Sequence, residues 1–136
     1  MQTEKILRSE DDTIAFAKEL ASKLKKGDVL ALYGELGTGK TFFTQQLCKS
    51  LGVTENVSSP SYVLMNEYMG FFTIHHLDLY RLDAAEEVLE LGLYDLYDEA
   101  ITIIEWPEIA DGMLPENTIH IYFKFIGTYR KVTVKK

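Results

Sequence analysis

Residues 29–41, VLALYGELGTGKT, decide the fold of this chain. The run Val29–Tyr33 is continuously apolar, which is typical of a strand buried on both faces of a sheet. Residues 34–41 then match the pattern G-x-x-x-x-G-K-[ST]. The glycines let the backbone turn its N–H groups toward a phosphate, and the helix that follows adds free N–H groups and a positive dipole end. This stretch therefore predicts a phosphate-binding loop between a buried strand and a helix.

The chain around this loop has the composition of one ordinary globular domain. It has 136 residues, of which 46% are hydrophobic and 26% charged, and this excludes a fibrous, disordered or disulfide-stapled chain. The single cysteine, Cys48, fits a reducing compartment, and we see neither a signal peptide nor a transmembrane run. We predict one domain over residues 1–136.

Apolar spacing and turn residues outline the remaining elements. In chain order we predict a strand at 5–8, a helix starting at Ser9, the strand at 29–33, a helix ending at Gly52, a hairpin of 62–69 and 71–79, a short acidic helix at 84–91, a strand at 101–104, and a hairpin of 119–126 and 130–134. This order predicts an α/β fold of the P-loop NTPase type, with a central mixed β-sheet flanked by helices.

The charges are divided unevenly along the chain. The net charge is −7, which argues against non-specific nucleic-acid binding over the whole surface. Residues 78–116 hold twelve acids and only one base, Arg81. This segment is interpreted either as a solvated acidic face or as a surface that meets a basic protein or excludes RNA from that side.

A phosphate loop needs a cation, a metal ligand and an acid on a neighbouring strand. Lys40 would neutralise the β and γ phosphate oxygens, and the Thr41 hydroxyl would ligate Mg²⁺. Glu105 follows the apolar run at 101–104, where a carboxylate is costly unless paired or metal-bound. We predict Glu105 as the acid of the metal site; the alternative is a strand-end acid that points into water.

A second polar group lies in the stretch HHLDLYR at 75–81. In a strand, His76, Asp78 and Tyr80 would share one face. Functionally, Asp78 would lie near Mg²⁺ or the attacking water; alternatively, the polar face is simply solvated. The histidines lack the spacing of a metal site, so we assign no zinc.

Two further features are open to two interpretations each. The segment 58–62, SSPSY, is either a switch-like loop whose hydroxyls sense the γ-phosphate or a Ser/Pro-rich turn. The indole of Trp106 would lie either beside the nucleotide or over the core, and the residues alone favour the core.

Missing motifs narrow the functional class. The chain lacks the guanine-reading Asn-Lys-x-Asp pattern, so ATP is favoured, and its three arginines provide no Arg-rich lid of a small-molecule kinase. A slow ATPase completed by a partner is the first hypothesis. A nucleotide-gated binding module with incidental hydrolysis and a small-molecule phosphotransferase are the alternatives.

Four stretches together resemble a known family: GELGTGKT at 34–41, SSPSYVL at 58–64, HLDLYRL at 76–82 and IIEWPE at 103–108. The ordered set is similar to the TsaE (YjeE/YdiB) family of small bacterial ATPases. The resemblance implies a cytoplasmic, Mg²⁺-dependent ATPase needed for threonylcarbamoyladenosine at tRNA position 37. It also implies that the protein resets the TsaB–TsaD heterodimer, which carries out the transfer. The tRNA would be reached only through that complex, with no role for DNA or a membrane.

The loop and the resemblance together give the candidate site. The catalytic candidates are Lys40, Asp78 and Glu105, and the metal candidates are Thr41 and Glu105. The candidates for ATP binding are Glu35, Leu36, Gly37, Thr38, Gly39, Lys40, Thr41, Phe42 and Trp106. Two residues depart from the family pattern: Ser61 replaces the usual Thr, and Phe42 stands where a small polar residue is common.

Overall fold

The structure is a computed structural model that describes residues 2–35, 37–60 and 64–136. The strands are β1 (Gln2–Leu7), β2 (Val29–Tyr33), β3 (Met65–Met69), β4 (Thr73–Asp78), β5 (Ile101–Glu105), β6 (Ile119–Ile126) and β7 (Tyr129–Lys135). The helices are α1 (Glu10–Ala21), α2 (Lys40–Ser50), α3 (Ala85–Leu89) and α4 (Leu93–Leu96), with 3-10 turns at Tyr97–Glu99 and Pro107–Ala110. None of the helices in these ranges is long and apolar enough to span a bilayer.

The described strands form one seven-stranded mixed sheet in the order β1-β7-β6-β2-β5-β4-β3. Strand β2 lies at its centre between parallel neighbours β5 and β6, and β4 runs parallel to β5. Antiparallel pairs close both edges. The carboxyl ends of β2, β5 and β4 therefore lie at the same edge, where open α/β sheets bind their ligands. The predicted mixed α/β sheet is confirmed.

Helices α1 and α2 pack on one face of the sheet. Helix α1 begins as its sequence predicts: Ser9 is extended, and its hydroxyl accepts from the Asp12 amide at 3.3 Å. Phe16 of α1 and Phe43 of α2 place their ring centroids 5.3 Å apart over the sheet. The larger hydrophobic cluster joins these helices to alternate residues of the central strands, such as Leu30 and Ile103.

A second cluster covers the opposite face. It packs Val29, Leu77 and Ile104 of the central strands against Val88 of α3 and Leu93 of α4. Because helices cover both faces of these strands, β2 and β5 bury apolar side chains in both directions, as their continuous apolar runs predict.

The elements differ from the predictions in several places. Strand β1 covers Gln2–Leu7 rather than 5–8, and α3 is shorter than the predicted helix at 84–91. The hairpin near Gly70 is confirmed, but its first strand starts at Met65, and residues 62 and 63 lie outside the described residues. The four-residue helix α4 was not predicted. It starts after Gly92, which has φ +71°, and it is too short to show helical spacing in the sequence.

The approach of the β6 backbone explains why residue 34 is a glycine. A Cβ at Gly34 would lie 2.7 Å from the Phe123 carbonyl oxygen, at a backbone φ of +145°. Gly127, in the β6–β7 turn, also has a left-handed φ, +57°, but a Cβ there would meet nothing within 4 Å. A substitution at Gly127 would therefore cause backbone strain alone, whereas one at Gly34 would cause both backbone strain and a steric clash.

We expect Gly127→Ala to lower the free energy of unfolding by about 1 kcal/mol through backbone strain alone. Gly34→Ala should cost at least about twice as much, because strain and a clash with backbone combine. Urea unfolding followed by circular dichroism measures both. An equal loss of unfolding free energy in the two variants would contradict the close approach of β6 to the loop.

Candidate functional site

A cleft of about 460 Å³ opens at the carboxyl edge of the central strands. It brings together the phosphate loop, the ends of β4 and β5, and the segment before β3. Its lining residues are Gly37, Gly39, Lys40, Thr41, Phe42, Ser59, Asp78, Tyr80, Arg81, Glu105 and Trp106. Every catalytic and metal candidate from the sequence is among them.

The loop has the backbone conformation that its glycines allow. Gly37 and Gly39 have φ of +83° and +102°, and α2 begins at Lys40, directly after Gly39. Thr38 is buried, and its hydroxyl donates to the Glu35 carbonyl at 2.6 Å, which closes the turn. Glu35 and Thr38 line an adjacent groove rather than the main cleft. Leu36 lies outside the described residues.

Lys40 is held at the mouth of the loop although it is only 5% exposed. Its ammonium donates to the Gly34 carbonyl at 2.5 Å and lies 3.9 Å from the centroid of the Trp106 ring. Burial lowers the pKa of Lys40 below its usual value, and the Glu105, Glu108 and Asp78 carboxylates raise it in part. Lys40 and Arg81 therefore share the cleft with Asp78 and Glu105, so the site offers cationic groups to an anionic ligand and carboxylates to a metal ion.

Glu105 and Asp78 end neighbouring parallel strands in register with each other. Glu105 is 3% exposed, and its Oε2 is 2.6 Å from Nε2 of the fully buried His76. The interpretation of Glu105 as a strand-end acid pointing into water is therefore wrong. The interpretation of a solvated polar face on β4 is also wrong for His76, because its side chain has no exposed surface.

Asp78 connects the segment before β3 to the cleft. Its Oδ2 accepts from the Ser59 hydroxyl at 2.9 Å, and its Oδ1 accepts from the Tyr80 amide at 3.0 Å. Ser58 is also held, since its amide donates to the Tyr68 hydroxyl at 3.2 Å. The 58–62 loop thus reaches the cleft through Ser59, while Ser61 and Tyr62 lie outside the described residues.

Trp106 lies in the cleft rather than in either hydrophobic cluster of the described residues. The preference for the core that its residue type suggested is therefore wrong. Its backbone is left-handed, with φ +55° and ψ +54°, and its ring centroid is 4.9 Å from that of Tyr80. Strained backbone of this kind accumulates at functional sites, where other contacts hold it in place.

The oxygen groups in the cleft fit Mg²⁺. Within the described ranges, no group of three or more His, Cys, Asp or Glu side chains is arranged to enclose a metal ion. Mg²⁺ at a phosphate site takes only one or two protein oxygens, and phosphate and water oxygens complete its shell. The Thr41 hydroxyl and the Glu105 carboxylate provide such oxygens in one cleft.

Tyr80 and Arg81 also line the cleft, although the sequence did not single them out as ligand contacts. Their position two and three residues after Asp78, in the HLDLYRL stretch, is the signal that could have found them. The contact of Glu105 with His76 had no local signal, because 29 positions separate the two residues in the chain.

The electrostatics of the cleft predict a change in the titration of Lys40. Glu105→Gln removes the carboxylate that stabilises the ammonium most strongly. We expect the pKa of Lys40 to fall further below its usual value, since burial then acts with less opposition. Side-chain NMR of the lysines over a pH series measures this shift. The control is Glu116→Gln, because Glu116 is exposed and does not line the cleft. A rise in the pKa of Lys40 would contradict the arrangement.

Comparison with known proteins gives a consistent result. Residues 7–132 match the family described as threonylcarbamoyl adenosine biosynthesis protein TsaE. The tRNA threonylcarbamoyladenosine biosynthesis protein TsaE of Rickettsia bellii is 40% identical over 134 residues, which are 97% of this chain and 93% of that protein. The protein of the same name from Bacillus subtilis is 36% identical over 118 residues, covering 86% of this chain and 74% of its own length.

A solved structure agrees with these matches. The crystal structure of Bacillus subtilis YdiB superposes with a TM-score of 0.81 at 30% sequence identity, covering 98% of this chain and 84% of that one. The family match spans most of the chain, and the fold and the ordered motifs accompany it. The chain belongs to the TsaE family.

Proposed function

We propose that this chain binds Mg²⁺ and ATP in the cleft, hydrolyses ATP slowly, and serves tRNA threonylcarbamoyladenosine biosynthesis as an accessory ATPase of the TsaB–TsaD complex in the cytoplasm. The observation that carries the proposal is the convergence of Lys40, Thr41, Asp78 and Glu105 on one cleft. Membership of the TsaE family gives the pathway.

In this proposal the loop and Lys40 bind the phosphates. The backbone N–H groups of the loop and the first turn of α2 face the anion, and the Lys40 ammonium carries the compensating charge. An ammonium has three donors, so it can exchange its contact with the Gly34 carbonyl for phosphate oxygens. The indole of Trp106, against which Lys40 now packs, limits the access of water to that side.

In this proposal, the two acids Glu105 and Asp78 have different roles. The Thr41 hydroxyl and the Glu105 carboxylate would hold Mg²⁺, which offsets charge on the phosphate oxygens. Asp78 lies on the adjacent strand and is suited either to the metal's outer ligands or to the orientation of the attacking water. Its hydrogen bond with Ser59 gives the 58–60 segment a direct contact with this acid.

A neighbouring groove supports the placement of the nucleoside. This groove, of about 260 Å³, shares Gly39 and Phe42 with the main cleft and extends toward Arg8, Thr128 and Arg130. It lies on the β1–β7 side of the loop, away from Glu105. A nucleotide with its terminal phosphates near the acids would extend its nucleoside in this direction.

One contact favours a second candidate function, a nucleotide-gated binding module. Because Ser59 bonds to Asp78, nucleotide bound beside Asp78 can bias the conformation of the 58–60 segment without hydrolysis. In that case the binding of ATP, rather than its hydrolysis, would control the interaction with the partner protein. Asp78→Asn distinguishes the two: if it binds ATP, fails to hydrolyse it and still supports tRNA modification, the binding module is favoured.

The central test of the proposal is ATP hydrolysis by the purified chain, with and without TsaB and TsaD. We expect slow basal turnover, no phosphorylated small-molecule product, and a change in rate when both partners are present, since groups supplied in trans change such rates by up to ~10³–10⁵-fold. Lys40→Ala is the blank. Turnover that ignores the partners, with no complex in any nucleotide state, would contradict the accessory role.

The partner contact is predicted on the acidic side of the molecule. Glu86 and Glu90 are exposed there, beside the exposed apolar side chains of Leu89 and Tyr94. An acidic surface with apolar side chains fits a basic protein surface and repels RNA.

The double charge reversal Glu86→Lys/Glu90→Lys should weaken binding to TsaB–TsaD roughly tenfold at low salt, and by less at high salt. Calorimetric or surface-binding titrations at two salt concentrations measure this. The matched control is Asp11→Lys/Glu55→Lys, which makes the same change of net charge at exposed positions outside the acidic segment. Equal affinities for the two variants would remove α3 from the interface.

A further inference from the structure

We infer that His76 is a positioning residue that holds the carboxylate of Glu105 in the orientation its metal role requires. The inference rests on the proposed function, because it concerns the acid assigned to Mg²⁺. His76 does not line the cleft and therefore acts only through Glu105.

The two side chains form a buried, hydrogen-bonded pair. His76 lies two residues before Asp78 on β4, and Glu105 ends the adjacent strand β5. The His76 side chain has no exposed surface, the Glu105 side chain is 4% exposed, and Nε2 lies 2.6 Å from Oε2. Because this bond engages Oε2 while Glu105 lines the cleft, Oε1 is the oxygen available there.

The chemistry of the contact fixes the direction of the hydrogen bond. A carboxylate that binds Mg²⁺ only accepts hydrogen bonds, so in the proposed metal role the hydrogen of this bond lies on Nε2 of the imidazole. Nδ1 of His76 has no hydrogen-bond partner among the described residues. Among the described residues, the hydrogen bond to Glu105 is therefore the interaction that offsets the free-energy cost of burying the imidazole.

Packing alone does not require a histidine here. The ring has Tyr68 on one side, with centroids 6.4 Å apart, and an apolar side chain of similar size would fill the same space without an unpartnered nitrogen. A short charge-assisted bond does what an apolar residue cannot: it keeps the carboxylate in one rotamer with one oxygen toward the cleft. Loss of such an outer partner typically weakens metal binding about 10–100-fold.

The test compares His76→Leu with His76→Gln. Leucine removes the donor, whereas the glutamine side chain can place an amide N–H near the position of Nε2. Mn²⁺ serves as the probe for the Mg²⁺ site, and electron paramagnetic resonance measures its affinity for the ATP-bound protein. ATP affinity is measured separately in EDTA, and thermal unfolding checks each variant.

We expect His76→Leu to weaken Mn²⁺ affinity about 10–100-fold and His76→Gln to restore it to within a few-fold of wild type. Metal-free ATP affinity should be the same in all three proteins. If His76→Leu does not fold, His76→Asn replaces it, because its shorter amide aligns with Nδ1 and does not reach Glu105.

Three results would overturn the inference. In the first, the donor-free variant binds Mn²⁺ as tightly as the wild-type protein. In the second, the donor-free and Gln variants lose Mn²⁺ affinity equally. In the third, the donor-free variant loses metal-free ATP affinity as well as Mn²⁺ affinity. In each of these the wild-type protein binds Mn²⁺ with ATP, so the proposed function stands. A wild-type protein that bound no Mn²⁺ with ATP would overturn both.

Discussion

The structure depends on how β2 ends. This strand is buried on both faces, and its chain must turn sharply into α2 where β6 passes close to Gly34. Only backbone with left-handed φ makes that turn, and glycine adopts it without strain. The turn leads into α2, which begins at Lys40, and the first turn of a helix has N–H groups without partners inside the helix. The parallel neighbours of β2 then bring the ends of β4 and β5 to the same edge.

The charged side chains of the cleft are stabilised by specific contacts that replace some of their interactions with water. Lys40 is nearly buried, and the facing carboxylates, a loop carbonyl and an indole ring compensate for part of its lost hydration. Glu105 is buried as deeply and is bound to His76. Asp78 is less buried and accepts two hydrogen bonds, one from the Ser59 hydroxyl and one from the Tyr80 amide. Glu105 and Asp78 are thus fixed by hydrogen bonds before any ligand enters, whereas Lys40 would exchange its carbonyl contact for the ligand.

Much of this site could be predicted from the sequence because its signals are local. The glycine pattern, Lys40 and Thr41 lie in one continuous stretch, and Glu105 directly follows an apolar strand. The residue type of Trp106 did not predict its position, which depends on the left-handed backbone after β5; only the family resemblance placed it among the candidates for ATP binding. The contacts of His76 with Glu105 and of Ser59 with Asp78 depend on the order of strands in the sheet. That order is set by packing over the whole chain, so residue spacing did not reveal these pairs.

The most direct measurement is a crystal structure of the chain with Mg²⁺ and a non-hydrolysable ATP analogue. The account predicts the β and γ phosphates against Gly37, Gly39 and Lys40, with the Lys40 ammonium moved from the Gly34 carbonyl to the phosphate oxygens. It also predicts Mg²⁺ at about 2.0–2.1 Å from the Thr41 hydroxyl, with Glu105 bound to the ion or to one of its waters. A nucleotide bound elsewhere, or an ion in contact with neither residue, would contradict the assignment of this cleft.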